Sequence, residues 1–189
     1  CHAQMYTMGT VLRHGNDAQK AKYLPGIASG KLRLQAFGVT EPTSGTDTSS
    51  LKTVAKRDGD HYIVNGQKIW TSRAEHSDLM ILLARTTPKE QAKKRTDGLS
   101  VFIVDMREVK GKGLEIRPIR TMMNHATTEI FLDNVRVPAA NVVGKVNEGW
   151  GVAITTLAYE RDVLTMIRHI SLRTALERLI ALAKRTKRD

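Results

Sequence analysis

A single cysteine among 189 residues leaves no internal disulfide to form and no zinc site to be built from thiolates, which fits a reducing compartment. No run approaches the ~18 apolar residues of a membrane-spanning helix. The six histidines (His2, His14, His61, His76, His125, His169) show no H-E-x-x-H or comparable ligand spacing, so they read as surface or satisfied side chains. No G-x-G-x-x-G opens a helix, which excludes a Rossmann dinucleotide site. Aromatics are only 5% of the chain and few interleave with the basic residues, so the formal charge of +11 lacks the stacking platforms of a single-strand nucleic-acid binder. The charge suits a polyphosphorylated small molecule or separation from acidic partners. Its local clusters, Lys89 to Arg95 and Lys184 to Arg188, are most simply solvated surface. The start, Cys1-His2-Ala3-Gln4-Met5, has no initiator methionine and no signal-peptide pattern, so the sequence reads as a piece of a longer chain.

What is present is an ordinary globular composition, 41% hydrophobic and 26% charged, in a chain long enough to bury a real core. Residues 1–31 read as helical. Met5, Met8, Val11 and Leu12 recur at helix spacing, Gly15 stops the run, Asn16 or Asp17 caps a second helix through Tyr23, and Pro25 and Gly30 end it. From Leu32 to about Val143 the period becomes that of strands. Asp58-Gly59 signals one hairpin and Asn65-Gly66 predicts a second turn, returning the chain into Gln67 to Thr71. Leu79 to Ala84 is apolar enough to be buried on both faces. Some seven short strands predict an antiparallel barrel or sandwich. At Asn147, a candidate cap, helical spacing resumes through Ile167 and again from Ile170 to Lys184. The expected class is α+β: an antiparallel β-barrel middle domain (32–146) between partial helical domains (1–31 and 147–189).

Two stretches carry chemistry. Phe37-Gly38-Val39-Thr40-Glu41-Pro42-Thr43-Ser44-Gly45-Thr46-Asp47 takes an apolar strand into a loop crowded with hydroxyls and turn formers. Neutral donors in that number suit a weakly charged ring edge or phosphate oxygens, although an ordinary strand exit explains the composition equally well. Glu160 is flanked at helical spacing by Leu157, Val163 and Leu164, so its carboxylate leaves an otherwise apolar stripe. Desolvation there would raise its pKa toward that of a general base. A stripe-edge glutamate reaching water is the competing reading.

Together with Tyr23-Leu24-Pro25, five blocks in order resemble the acyl-CoA dehydrogenases: Val39-Thr40-Glu41-Pro42-x-x-Gly45-Thr46-Asp47, Asn65-Gly66-x-Lys68-x-Trp70-Thr71-Ser72, Val135-x-Val137-Pro138, Gly149-Trp150 and Leu157-x-x-Glu160-Arg161. The resemblance implies FAD, an acyl-CoA thioester and formation of an α,β double bond. It also implies a homodimer or homotetramer in the cytoplasm or an organelle matrix, serving fatty acid β-oxidation, with an electron-transfer flavoprotein as acceptor. An acyl-CoA oxidase, which passes electrons to oxygen, is the near alternative, and a non-catalytic barrel that does not retain FAD is another.

By the same resemblance, Phe37, Val39 and Thr40 border the pyrimidine side of the flavin. Thr46, where relatives commonly have Ser, lies near flavin phosphates or the acyl-CoA. Trp70 packs on the isoalloxazine, with Thr71 and Ser72 toward its redox-active edge. Glu160 matches a branch of the family in which this helix carries the base; in most members the base lies further along the C-terminal helical domain. Arg161 would lie near the substrate. Ala158 stands where many members place Asp or Asn against CoA, and Asn124-His125-Ala126-Thr127 departs from a common Gly-Arg/Met-Arg pattern.

Overall fold

A computed structural model describes residues 2–122 and 126–186, without the side chains of Val163 and Leu164. Helix α1 (His2–His14) ends at Gly15, and Asn16 caps α2 (Asp17–Ala28) in a reciprocal capping box with Gln19. The Gln19 amide also donates to the Ala140 and Val142 carbonyls, which fixes α2 on the sheet. Pro25 does not end α2; it lies inside it, and the helix runs on to Ala28 before Gly30 turns at φ 74°.

Among the described residues eight strands follow: β1 (Leu34–Gly38), β2 (Val54–Asp58), β3 (His61–Ser72), β4 (Leu79–Arg85), β5 (Leu99–Asp105), β6 (Leu114–Ile119), β7 (Thr127–Pro138) and β8 (Val142–Val143). A short helix, α3 (Met106–Val109), leaves β5, and α4 (Gly149–Thr186) closes the described chain as one continuous helix. The strand order is β6-β7-β3-β2-β4-β5-β8, with β1 beside β4. The α+β class stands. The sheet follows an open path, and although most pairings are antiparallel, β1 and β2 both meet β4 in parallel.

Strand β4 shows why its sequence is uniformly apolar. Met80, Leu82 and Ala84 enter a core with Val64, Phe102 and Ile130, whereas Leu79, Ile81 and Leu83 face a second core containing Val11, Tyr23, Ile27 and Val152 from the helices. Each fully buried Leu or Ile of this strand contributes about 1.5–3 kcal/mol, so β4 anchors both layers.

Two local expectations fail for physical reasons. Asn65-Gly66 is no turn: β3 runs straight through it, with a register shift against β7 between Val64 and Gly66. Gly66 sits at φ 153°, and a Cβ there would stand 2.4 Å from Thr53 Oγ1 and 2.7 Å from Thr53 Cα, so the glycine serves close approach of the residue that leads into β2. Asn147 sits at φ 70° with its side-chain oxygen accepting from the Thr86 and Thr87 hydroxyls and its N–H donating to Ser100 Oγ, so it pins a loop where spacing suggested a cap. The helix starts at Gly149, whose missing side chain lets the backbone lie on Ser100 and Val101.

Candidate functional site

The exit of β1 and the far end of β3 meet. Ile69 N–H donates to the Thr40 carbonyl at 2.9 Å, tying the loop after β1 to a bulge where the β3–β7 register shifts between Lys68 and Thr71. Trp70 occupies that bulge at φ 60° and is 58% exposed. A bulky aromatic in the left-handed region, presented to solvent, departs from both backbone preference and hydrophobic burial. Beside it Thr71 is buried with its hydroxyl unpartnered, and Ser72 is exposed. Phe37 and Thr40 are half-buried and Val39 is buried; among the described residues no hydrogen bond engages the Thr40, Thr46 or Ser72 hydroxyls.

Part of the hydroxyl-rich loop is spent on itself. Glu41 and Ser44 close a tight turn, Ser44 donates to the Asp47 carbonyl, and the Asp47 carboxylate accepts from Ser49, Ser50 and Arg95. These hydrogen bonds hold the Asp47 carboxyl below its usual range. Thr46 stays exposed at the outer curve.

Beneath the loop lies an ion pair that sequence reasoning assigned no role. Lys68 is fully buried and its Nζ donates to Glu41 Oε1 at 2.9 Å and to the Val39 carbonyl at 3.1 Å. Glu41 also accepts the backbone N–H groups of Lys52 and Thr53. Burial acts against both charges. The Lys68 ammonium and the two amides nevertheless hold the Glu41 carboxyl below its ordinary value, while desolvation, opposed by Glu41, pulls Lys68 down. The signal was available: Lys68 falls in phase with the buried Tyr62 and Val64, and an inward lysine requires a carboxylate.

Glu160 lies at the end of the part of α4 that packs on α1. Thr10 and Thr156 hydroxyls meet at 2.7 Å, His14 Nε2 stands 3.0 Å from Thr155 Oγ1, and His2 Nε2 lies 3.2 Å from the Glu160 carbonyl. Glu160 is half-buried; Ala158 and Arg161 are exposed. The stripe neighbours Val163 and Leu164 fall outside the described side chains, and Asn124 and His125 outside the described residues. Tyr6, unremarked in the sequence, links the two regions. Its ring lies 6.4 Å from Phe37, and burial together with the nearby Glu160 carboxylate pushes its phenol up to about 12. The structure thus ties the loop carrying Val39 and Thr40 to the Trp70 bulge through the Lys68–Val39 and Ile69–Thr40 hydrogen bonds, and sets Tyr6 near both Phe37 and Glu160, with Thr46 exposed on the loop. A cavity of about 710 Å³ lies elsewhere, between 50–56 and 85–90, and none of the predicted site residues lines it.

An exposed aromatic in a strained bulge, with the Thr40 hydroxyl on the loop tied to it and the Ser72 hydroxyl two residues on, both unengaged among the described residues, fits a planar, polar-edged ring such as a flavin. Among the described residues no group of His, Cys, Asp and Glu could hold a metal, and no helix is long and apolar enough to cross a membrane.

The family model for the acyl-CoA dehydrogenase middle domain matches residues 36–135. The chain is 41% identical over 155 residues to acyl-CoA dehydrogenase FadE26 of Mycobacterium tuberculosis, covering 82% of this chain and 38% of that protein. It is 35% identical over 154 residues to glutaryl-CoA dehydrogenase of Desulfococcus multivorans, covering 80% and 38%. The solved Tcur3481-Tcur3483 steroid ACAD superimposes with a TM-score of 0.81 at 38% identity, over 95% of this chain and 45% of that one. The chain therefore spans less than half the length of these relatives. With the middle-domain match covering more than half of its residues, the chain belongs to the acyl-CoA dehydrogenase family.

Proposed function

We propose that the protein containing this chain dehydrogenates an acyl-CoA thioester to the trans-2-enoyl-CoA with FAD, residues 32–146 forming the flavin-holding unit and 1–31 and 147–189 belonging to flanking helical domains. The observation that carries the reading is Trp70, exposed at φ 60° beside the unspent hydroxyls of Thr40 and Ser72. Phe37, Val39 and Thr40 would hold the pyrimidine side of the flavin, Trp70 would pack on the ring, Thr71 and Ser72 would lie toward its reactive edge, and Thr46 would reach phosphate or acyl-CoA. Bound FAD supplies a two-electron acceptor that takes the β-hydrogen as hydride.

The chain's own residues do the rest. Glu160 accepts the α-proton as that C–H bond breaks, and the electron pair left behind forms the double bond as the β-hydride departs. Tyr6, whose phenol is protonated at neutral pH, stands between Glu160 and Phe37 and limits water there without adding charge. Arg161, next to Glu160 in sequence and exposed, would lie near the substrate. An electron-transfer flavoprotein would be the acceptor that re-oxidises the bound group.

The test is anaerobic titration of the FAD-loaded protein with short, branched, medium-chain and steroid acyl-CoA thioesters; the last enters because of the likeness to the steroid ACAD. Bleaching of the visible flavin band by one of them is expected. A flavin that binds and is bleached by none would overturn the assigned reaction, and rapid re-oxidation by oxygen would replace the flavoprotein acceptor with an oxidase.

A further inference from the structure

We infer that the buried Lys68–Glu41 pair is a positioning device that sets the Trp70 bulge against the loop after β1, and so shapes the flavin wall; this rests on the function proposed above. Four connections converge on it. Lys68 Nζ reaches both Val39 O and Glu41 Oε1, so one ammonium spans the strand exit and the turn. Glu41 passes the constraint to the segment leading into β2 through the Lys52 and Thr53 amides. One residue beyond Lys68, Ile69 N–H is tied to Thr40 O. The next residue is Trp70, in the backbone region that a bulky side chain avoids.

A strained conformation persists only where its surroundings over-determine it. Lys68 supplies that fixation: its backbone pairs with Ile130 across β3–β7 just before the register shift, while its side chain is locked to the neighbouring loop. The two anchors on one residue leave the chain from 69 to 71 little freedom. An apolar pair would fill the volume equally well, and replacing buried ion pairs by apolar groups is often neutral or stabilising. Geometry rather than stability therefore accounts for the charges. A lysine reaches two oxygens on different residues, which no aliphatic side chain does.

The test uses Lys68→Met with Glu41→Gln, which removes both charges and leaves no orphaned ion, in a Trp150→Phe background so that Trp70 is the only indole. The first readout needs no flavin: Trp70 emission, anisotropy and acrylamide quenching. Looser anisotropy and altered quenching in a folded double variant are expected. The second is FAD affinity with the visible circular dichroism of bound flavin, where a loss of about tenfold and a changed band are expected. Lys68→Met alone, which strands the Glu41 carboxylate, should lower stability far more than the double variant, and its folded fraction serves as the control. Unchanged Trp70 signals in the double variant would overturn the positioning role whether or not FAD binds. If those signals change while the parent chain binds no FAD, the positioning role stands as a structural fact and the flavin reading falls. Changed Trp70 signals with unchanged FAD affinity would separate the bulge from flavin binding and overturn the inference.

Discussion

Replacing Trp70 by alanine and by glycine gives two chains that lack the same indole and differ only in backbone tolerance. At an ordinary position in a strand or helix, glycine is less stable than alanine by roughly 0.5–1 kcal/mol, because the unfolded glycine chain has more freedom to lose. Trp70 sits at φ 60°, where an L side chain crowds the following carbonyl at a cost of about 1–2 kcal/mol. The strain term outweighs the entropy term, so the order should invert: Trp70→Gly is expected to be more stable than Trp70→Ala by about 0.5–1 kcal/mol. In a chain of 189 residues that corresponds to a midpoint higher by roughly 1–4 °C, measurable by calorimetry or urea unfolding. Both variants should bind FAD more weakly than the parent. Alanine at or above glycine in stability would refute the claim that position 70 holds a strained backbone.

The other expectations are narrower. Gly149→Ala places a methyl 2.6 Å from Ser100 Cα and 2.8 Å from Val101 N, main-chain atoms that cannot swing aside, so unfolding should show a loss of at least about 1 kcal/mol despite alanine's better helix propensity. Glu160→Gln should retain FAD and lose nearly all bleaching by acyl-CoA; unaltered bleaching would move the base to another residue. The Glu41 carboxyl is held below its ordinary value of 4.5, so its stabilising contribution is complete above that pH and disappears as pH falls through the lowered value. Acid unfolding of the parent should therefore be steeper below that pH than in the Lys68→Met, Glu41→Gln double variant, and parallel curves would remove the pair from the acid limb.

Much of the fold was legible because periodicity reports burial. The uniform run of β4 announced two buried faces, and the Asn16-Asp17 pair announced the start of α2, with the structure assigning the cap to Asn16. Local dipeptides misled where tertiary contact set their use: Asn65-Gly66 resembles a turn, but the proximity of Thr53 makes it a straight passage, and Pro25 is accommodated inside a helix. The Asn147 side chain, short and polar enough to cap, was claimed by the Thr86 and Thr87 hydroxyls, partners about sixty positions away that no local pattern reveals. At the candidate site, composition singled out the hydroxyl loop, whereas Trp70 entered only through the motifs that resemble the family. Spacing alone did not join Lys68 to Glu41, because the two are 27 residues apart and meet only through packing of the β1 exit against β3. Tyr6 escaped notice for the same reason: its importance comes from Phe37 and Glu160, which reach it from different elements.

The most direct test of the central claim is an FAD titration of the full-length protein containing this chain, followed by flavin absorbance and fluorescence and run in parallel on Trp70→Ala and Thr40→Val. The account predicts saturable binding by the parent, with flavin fluorescence quenched by the Trp70 indole, and weaker binding with that quenching lost in Trp70→Ala. Thr40→Val, which keeps the shape and removes one donor, should weaken binding without restoring fluorescence. No saturable binding by the folded parent, or equal affinity and equal quenching in all three proteins, would contradict it.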